Sequence, residues 1–370
     1  MSSIILFKRI LKFKKKITDS YYKFNTEIFL DKSLIKKVLI IKWGGMGDIV
    51  ISLPIIESIA KHFPEAEIHL NTSKQWLPIF ENDKRFSQKW YVDFKSHKYG
   101  WKGIFEWLRI CNKNKYDVIF DLQTNDRSRL LITIIKYLNF HSNFLFGNHP
   151  VFPYGNRNYR KLENIHAFDI MKNAIESVGI KVVSKKTKIY TTQQNIKKVN
   201  FIIEQNQLVE KNFGVFICGS NKNGVLKRWG VNNYFELSLL IKKFSEKIIL
   251  IGGPDDETEC RRIAQLDEHI INLCNKIDLV ELPLILDKAK WIVSNDTGPA
   301  HFAACTNTPT LLITGPTNPA LVIPINTNIT AIQADIECRS CYRKICSHHS
   351  CMLGLSAQKV LPFFKEINGG

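Results

Sequence analysis

Nowhere in the 370 residues does an uninterrupted apolar run approach the ~18 needed to cross a bilayer, which argues against a membrane-spanning chain. The N-terminus lacks the order of a secretory signal, because its charges fall within and after a short apolar stretch. Cysteine is present, nine residues in all, but without the pattern of a disulfide-stapled secreted domain. Cys111, Cys218, Cys260, Cys274 and Cys305 are scattered singly through apolar segments, where cysteine acts as a small hydrophobe. These absences predict a reducing, cytoplasmic location. Acidic residues are also scarce: 34 Asp+Glu against 52 Lys+Arg leave a net charge of +18. That excess suits nucleic acid, an anionic membrane surface or a phosphorylated substrate. The first of these is disfavoured, since the basic residues are spread widely and no aromatic-interleaved groove motif or reading helix occurs.

The length exceeds what one hydrophobic core usually supports, so two domains are expected. Residues 1–36 stand apart. Leu6, Ile10, Phe13 and Ile17 form one apolar stripe of a helix, and Lys8, Arg9, Lys12, Lys15 and Lys16 fill most other positions. Such a helix can lie on an anionic membrane, form a solvated extension or pack on the body. The body alternates strand and helix, the pattern of an α/β fold with parallel sheets. Boundaries are placed at 37–190 for a first Rossmann-like domain and 191–370 for a second. In the first, the strand Lys37–Lys42 enters a glycine turn, and Pro54 sets the start of regular helix near Val50. In the second, a helix is expected over Ala300–Cys305, and Thr310–Ile313 is read as the last strand.

Three loops could hold phosphate, because open α/β sheets bind ligands beyond the carboxyl ends of their strands. The first is Gly44-Gly45-Met46-Gly47-Asp48. Its spacing is not G-x-G-x-x-G, and the second strand ends in Asn71, near His69, rather than in a ribose-binding acid, so a nicotinamide dinucleotide fits poorly. Asp48 reads either as a helix cap or as a general base. The second loop runs from Gly219-Ser220-Asn221 to Lys227-Arg228-Trp229, and Lys227 can meet a phosphate as a point charge. The third, Asn295-Asp296-Thr297-Gly298-Pro299-Ala300-His301, gathers a carboxylate, a hydroxyl and freed amides at a helix start. Gly252 and Gly253 end a further strand and leave room for a nucleobase. Arg127 and Arg129 follow the strand Tyr116–Leu122 and could grip acceptor phosphates or lie solvated on a helix start. Cys338, Cys341, Cys346 and Cys351 read C-x₂-C-x₄-C-x₄-C, with His348 and His349 inside. The spacing is open to a structural zinc site, reduced packing thiols or disulfides.

Taken in order, IKWGGMGDIVISLPII, FDLQTNDRSRLL, CGSN…LKRWG, ILIGGPDD and VSNDTGPAHFAA resemble glycosyltransferase family 9, the heptosyltransferases of lipopolysaccharide core assembly. The resemblance covers about residues 37–360. It implies the GT-B fold, two Rossmann-like domains facing across a cleft, and inverting transfer with no required cofactor or metal. The implied donor is ADP-L-glycero-D-manno-heptose, and the implied acceptor an anionic, lipid-linked glycan at the inner membrane. By motif, Asp48 corresponds to the catalytic base, while Gly45 and Gly47 belong to its substrate loop. Ser220, Asn221 and Lys227 correspond to donor phosphate and sugar contacts, and Asp296, Thr297, Gly298 and His301 to the loop holding heptose and pyrophosphate. The chain departs from the pattern at Gly230, where proline is usual, and at Gly224 and Val225, which lengthen a loop. A UDP-type transferase or epimerase is the alternative within the enzyme class, and a basic nucleic-acid-binding protein the alternative outside it.

Overall fold

The computed structural model describes residues 32–94, 101–138, 144–149, 151–156 and 164–369. The amphipathic stripe Leu6–Ile17 therefore lies outside the described residues. Two parallel sheets carry the fold. In the first, β1 (Lys37–Lys42), β2 (Glu67–Thr72), β3 (Gln88–Trp90), β4 (Val118–Asp121) and β5 (Phe144–Gly147) lie in the order β3-β2-β1-β4-β5. In the second, β6 (Phe213–Ile217), β7 (Lys247–Leu250), β8 (Ile270–Asn272), β9 (Trp291–Asn295), β10 (Thr310–Thr314) and β11 (Ile329–Gln333) lie in the order β11-β10-β9-β6-β7-β8. Central strands such as KVLIIK and FGVFI are buried almost throughout, as expected for strands covered by helices on both faces. The α/β two-sheet architecture expected from the sequence is the one observed.

Helix α1 (Met46–His62) follows β1 and starts one turn earlier than the position set by Pro54. Proline here lies inside the helix rather than at its beginning. The start is fixed instead by Gly45, whose carbonyl accepts from Ile49 N–H at 3.0 Å and whose amide donates to Asp48 Oδ2 at 3.1 Å. Asp48 thus sits at the third helical position and reaches back to the cap. The segment Pro299–Cys305 is 3₁₀ rather than α-helical, and Thr310–Thr314 is not the last strand, because Ile329–Gln333 pairs with it in parallel. A C-terminal helix, Ala357–Ile367, closes the second sheet: Phe364 meets Trp291 edge-on at 5.0 Å and Phe244 at 5.3 Å. Helix Gln193–Gln205 is tied to the second half by Lys198, which pairs with Asp278 at 2.6 Å and with Glu281 at 3.0 Å.

Gly230 takes φ +96°, which proline's ring cannot adopt, and the helix Val231–Leu240 begins directly after it. The departure from the family pattern therefore goes with a different backbone, not merely a looser helix start.

Candidate active site

Strand register brings the loops together. In the first sheet Ile41 lies opposite Asp121, so the turn after β1 stands beside the end of β4. In the second, Ile217 lies opposite Ser294 and Phe216 opposite Leu250, so the loops after β6, β7 and β9 emerge side by side. The two sets line opposite walls of one cleft of about 580 Å³. Gly45, Gly47 and Asp48 face it from the first half, and Ser220, Asn221, Lys227, Gly253, Asp296, Thr297, Gly298 and His301 from the second. Of the donor-side residues singled out in the sequence, Gly252 is the one set back from this cleft. A Cβ on it would stand 2.8 Å from Asp256 Cβ. Arg127 and Arg129 do not line the cleft either. Arg127 stacks over the Phe94 ring at 5.3 Å, and Arg129 donates to Phe152 O at 3.3 Å.

The halves touch at two glycines. A Cβ on Gly47 would lie 2.5 Å from His301 Nε2, and one on Gly298 would lie 2.8 Å from Met46 Cβ. Only backbone fits at these contacts, so His301 of the second half is packed against the glycine turn that presents Asp48. Burial lowers the His301 pKa to about 4, against the opposing pull of Asp296 and Asp48. The imidazole is therefore neutral at physiological pH, and its Nδ1 has no hydrogen-bond partner among the described residues.

Lys227 Nζ pairs with Asp296 Oδ2 at 2.7 Å, and Thr317 Oγ1 donates to the same oxygen at 2.6 Å. Asp296 is buried, whereas Lys227 keeps partial access to the cleft. A cation anchored in this way is poised for a diphosphate while its carboxylate partner stays fixed. The Ser220 hydroxyl donates within its own loop, to Gly224 O at 2.6 Å.

Two residues that sequence reasoning did not single out hold these loops in register. Asp256 accepts the amides of Ser220 and Gly253, each at 2.9 Å. Arg228 donates to Ser220 O at 2.6 Å and to Asp256 Oδ1 at 2.9 Å, and also pairs with Glu259. Burial raises the Asp256 pKa against the opposing effect of those amides and of Arg228. Their positions within GGPDD and KRW were the available signal, but nothing in the spacing showed that they meet. Asn71, at the end of β2, accepts the indole N–H groups of Trp43 and Trp107, both at 2.8 Å, so its role is internal packing.

In the tail, Cys338, Cys341 and Cys346 are partly buried and Cys351 is buried, and all four are free thiols. Among the described residues, no three His, Cys, Asp or Glu side chains are grouped so as to hold a metal ion. His349 Nε2 donates to Leu226 O at 2.7 Å, which ties the tail to the turn bearing Lys227.

The sequence model of glycosyltransferase family 9 (heptosyltransferase) matches residues 106–352. A lipooligosaccharide heptosyltransferase 2 of Campylobacter jejuni is 26% identical over 337 residues, covering 87% of this chain and 95% of that protein. The lipopolysaccharide core heptosyltransferase OpsX of Haemophilus influenzae is 23% identical over 306 residues, covering 79% and 82%. Among solved structures, a family 9 glycosyltransferase from Veillonella parvula superposes with a TM-score of 0.74 at 19% identity, covering 90% of this chain and 97% of that one. The E. coli heptosyltransferase WaaC with ADP gives a TM-score of 0.66 at 19% identity, over 90% and 99% of the two chains. These likenesses establish the GT-B fold, and with the family match over two thirds of the sequence they show that the chain belongs to glycosyltransferase family 9.

Proposed function

We propose that this glycosyltransferase moves a heptose from an ADP-activated donor to a lipopolysaccharide core or related surface glycan, with inversion at the anomeric carbon. The observation that carries the reading is the two-walled cleft. A carboxylate, Asp48, is presented by the first half opposite Lys227 and the Asp296–Gly298 loop of the second. Attack by an acceptor hydroxyl needs a base within hydrogen-bond reach, and Asp48 supplies it. The departing diphosphate needs fixed positive charge and amide donors, which Lys227 and the backbone after β9 supply. In this reading no metal takes part in the transfer step. Heptosyltransferases of known structure include one bound to ADP, and curated relatives act in lipopolysaccharide or lipooligosaccharide synthesis, which supports both donor and acceptor class.

Among the described residues no helix is long and apolar enough to cross a membrane. The acceptor is met at the cytoplasmic face of the inner membrane, with the basic segment 1–36 in peripheral contact. The reading is tested by a thermal-shift panel of ADP, UDP, GDP and CDP, followed by transfer from ADP-heptose. Stabilisation by ADP alone is expected. Stabilisation by UDP alone would favour the UDP-sugar alternative and overturn the donor assignment.

A further inference from the structure

The glycine turn that presents Asp48 is pinned by the end of β2 and the segment after it. Three consecutive carbonyls lead from β1 into the turn, and each accepts a side-chain donor from residues 72–76. Thr72 Oγ1 donates to Lys42 O at 2.8 Å, Ser73 Oγ to Trp43 O at 3.0 Å and Trp76 Nε1 to Gly44 O at 2.7 Å. The pairing of Lys42 with Thr72 sets this match, and the short 3₁₀ turn Lys74–Trp76 carries the indole to the glycines. Trp76 is buried, yet it lines the cleft together with Gly45 and Asp48.

The third bond differs from the other two in what lies across its peptide. Gly44 O and Gly45 N belong to one peptide group, and Gly45 N–H donates to Asp48 Oδ2 at 3.1 Å. The two bonds form a chain, from indole N–H to carbonyl and from amide N–H to carboxylate. A carbonyl that accepts polarises its own amide, so the first bond strengthens the second. Neither residue flanking this peptide has a Cβ to resist its rotation, and the hydrogen bonds therefore set its orientation. With Oδ2 taken by Gly45, no second donor among the described residues meets the exposed Asp48 carboxylate.

We propose that Trp76 is a positioning residue for the transfer reaction. Its indole N–H fixes the Gly44–Gly45 peptide, which holds the Asp48 carboxylate by one oxygen and presents the other to the acceptor hydroxyl. The role rests on the reading of Asp48 as the base, and adds to it the residue that sets the orientation of that base. The ring itself needs no contact with donor or acceptor.

The test compares the full-length enzyme with two forms altered at position 76. In Trp76→Phe an aromatic ring stays and the donor is lost. In the second form 3-benzothienylalanine replaces the tryptophan, so shape is kept and only the N–H is exchanged for sulfur. Misplacing a reacting group by about 1 Å can cost about 10²-fold, so kcat should fall roughly 10- to 100-fold in both forms. KM for donor and acceptor and the thermal shift by ADP should stay near wild type. In an Asp48→Asn background the same replacements should change kcat by less than about twofold, since a residue acting through the base has nothing left to act on. In substrate-free, glycine-labelled protein, the Gly45 amide proton, identified by its loss in Gly45→Ala, should move upfield in the benzothienyl form. An unchanged kcat in that form overturns the proposal, while a low turnover of Asp48→Asn would leave the base reading standing. So does an equal loss in the Asp48→Asn background, which would make the effect one of general structure. A rise in KM alone overturns it by making Trp76 a substrate contact, and so does an unmoved Gly45 resonance. Near-normal turnover of Asp48→Asn by itself would remove the base reading, and the positioning role with it.

Discussion

The Gly45 amide donates to Asp48 Oδ2, and in Asp48→Asn an amide oxygen can accept the same bond. Stability and the shape of the Gly44–Gly47 turn should therefore change little. The amide cannot take up the acceptor's proton, so turnover should fall about 10²- to 10⁴-fold while ADP still binds, because the diphosphate wall belongs to the other half. Near-normal steady-state turnover in a folded variant would leave Asp48 with only its capping role. At Lys227 the expected loss is in the donor. A charged contact to phosphate is worth about 1.5–3 kcal/mol, so Lys227→Ala should weaken donor binding roughly 10- to 100-fold. Asp296 also loses its cation in that variant, so the comparison should include Lys227→Ala/Asp296→Asn, which leaves no buried charge unpaired. Unchanged kinetics at sub-saturating donor would place Lys227 outside the phosphate site. The residues legible in the sequence were those inside glycine-bearing motifs. Asp256 and Arg228 were not, because their meaning lies in partners 28 and 36 positions away that only strand register brings near.

The long central elements could be read from their apolar patterns: β1, β6, β9 and the helices Met46–His62 and Val231–Leu240. Shorter pieces could not. Gln88–Trp90, Phe144–Gly147 and Ile270–Asn272 are three or four residues long, too short for a period, and join their sheets through neighbours already in place. Pro54 misled because a proline is usually confined to a helix start, whereas here the cap at Gly45 and the buried inner face hold the helix through it. The contact between α1 and the turn Pro299–Cys305 was equally invisible, and it yields a test. In Gly47→Ala the new methyl meets His301 Nε2 at 2.5 Å, with the glycine backbone fixed by the helix start. Crowding a packed contact usually costs about 1–3 kcal/mol, so a lower Tm and a fall in kcat with little change in ADP affinity are expected. Gly47→Ala/His301→Ala should recover stability if the clash is the cause. A double variant no more stable than Gly47→Ala would trace the loss to the turn itself.

At the scale of the whole molecule, the proposed reading divides the chemistry between the two halves: one would present acceptor and base, the other would hold the departing diphosphate. On that reading, the positive excess of the chain would serve anions on both sides of the reaction and the surface that carries the acceptor. Removing residues 1–34 should leave transfer to a short soluble acceptor intact and reduce co-sedimentation with anionic vesicles. Equal co-sedimentation of the two proteins would defeat the peripheral-contact role of that segment. The same division of labour bears on metals. With Lys227 and the amides after β9 facing the leaving diphosphate, EDTA should leave the rate of transfer near its starting value. The cysteine tail is separated in the same experiment, because His349 anchors it to the turn that carries Lys227. If the tail held structural zinc, chelation would lower Tm and lose activity through unfolding, since a structural zinc site contributes directly to folding. If the reaction itself needed a divalent ion, activity would vanish with Tm unchanged and return on adding Mg²⁺. Retention of both rate and Tm is the expected result, and it is the one outcome consistent with reduced thiols in the tail and protein-supplied charge at the diphosphate.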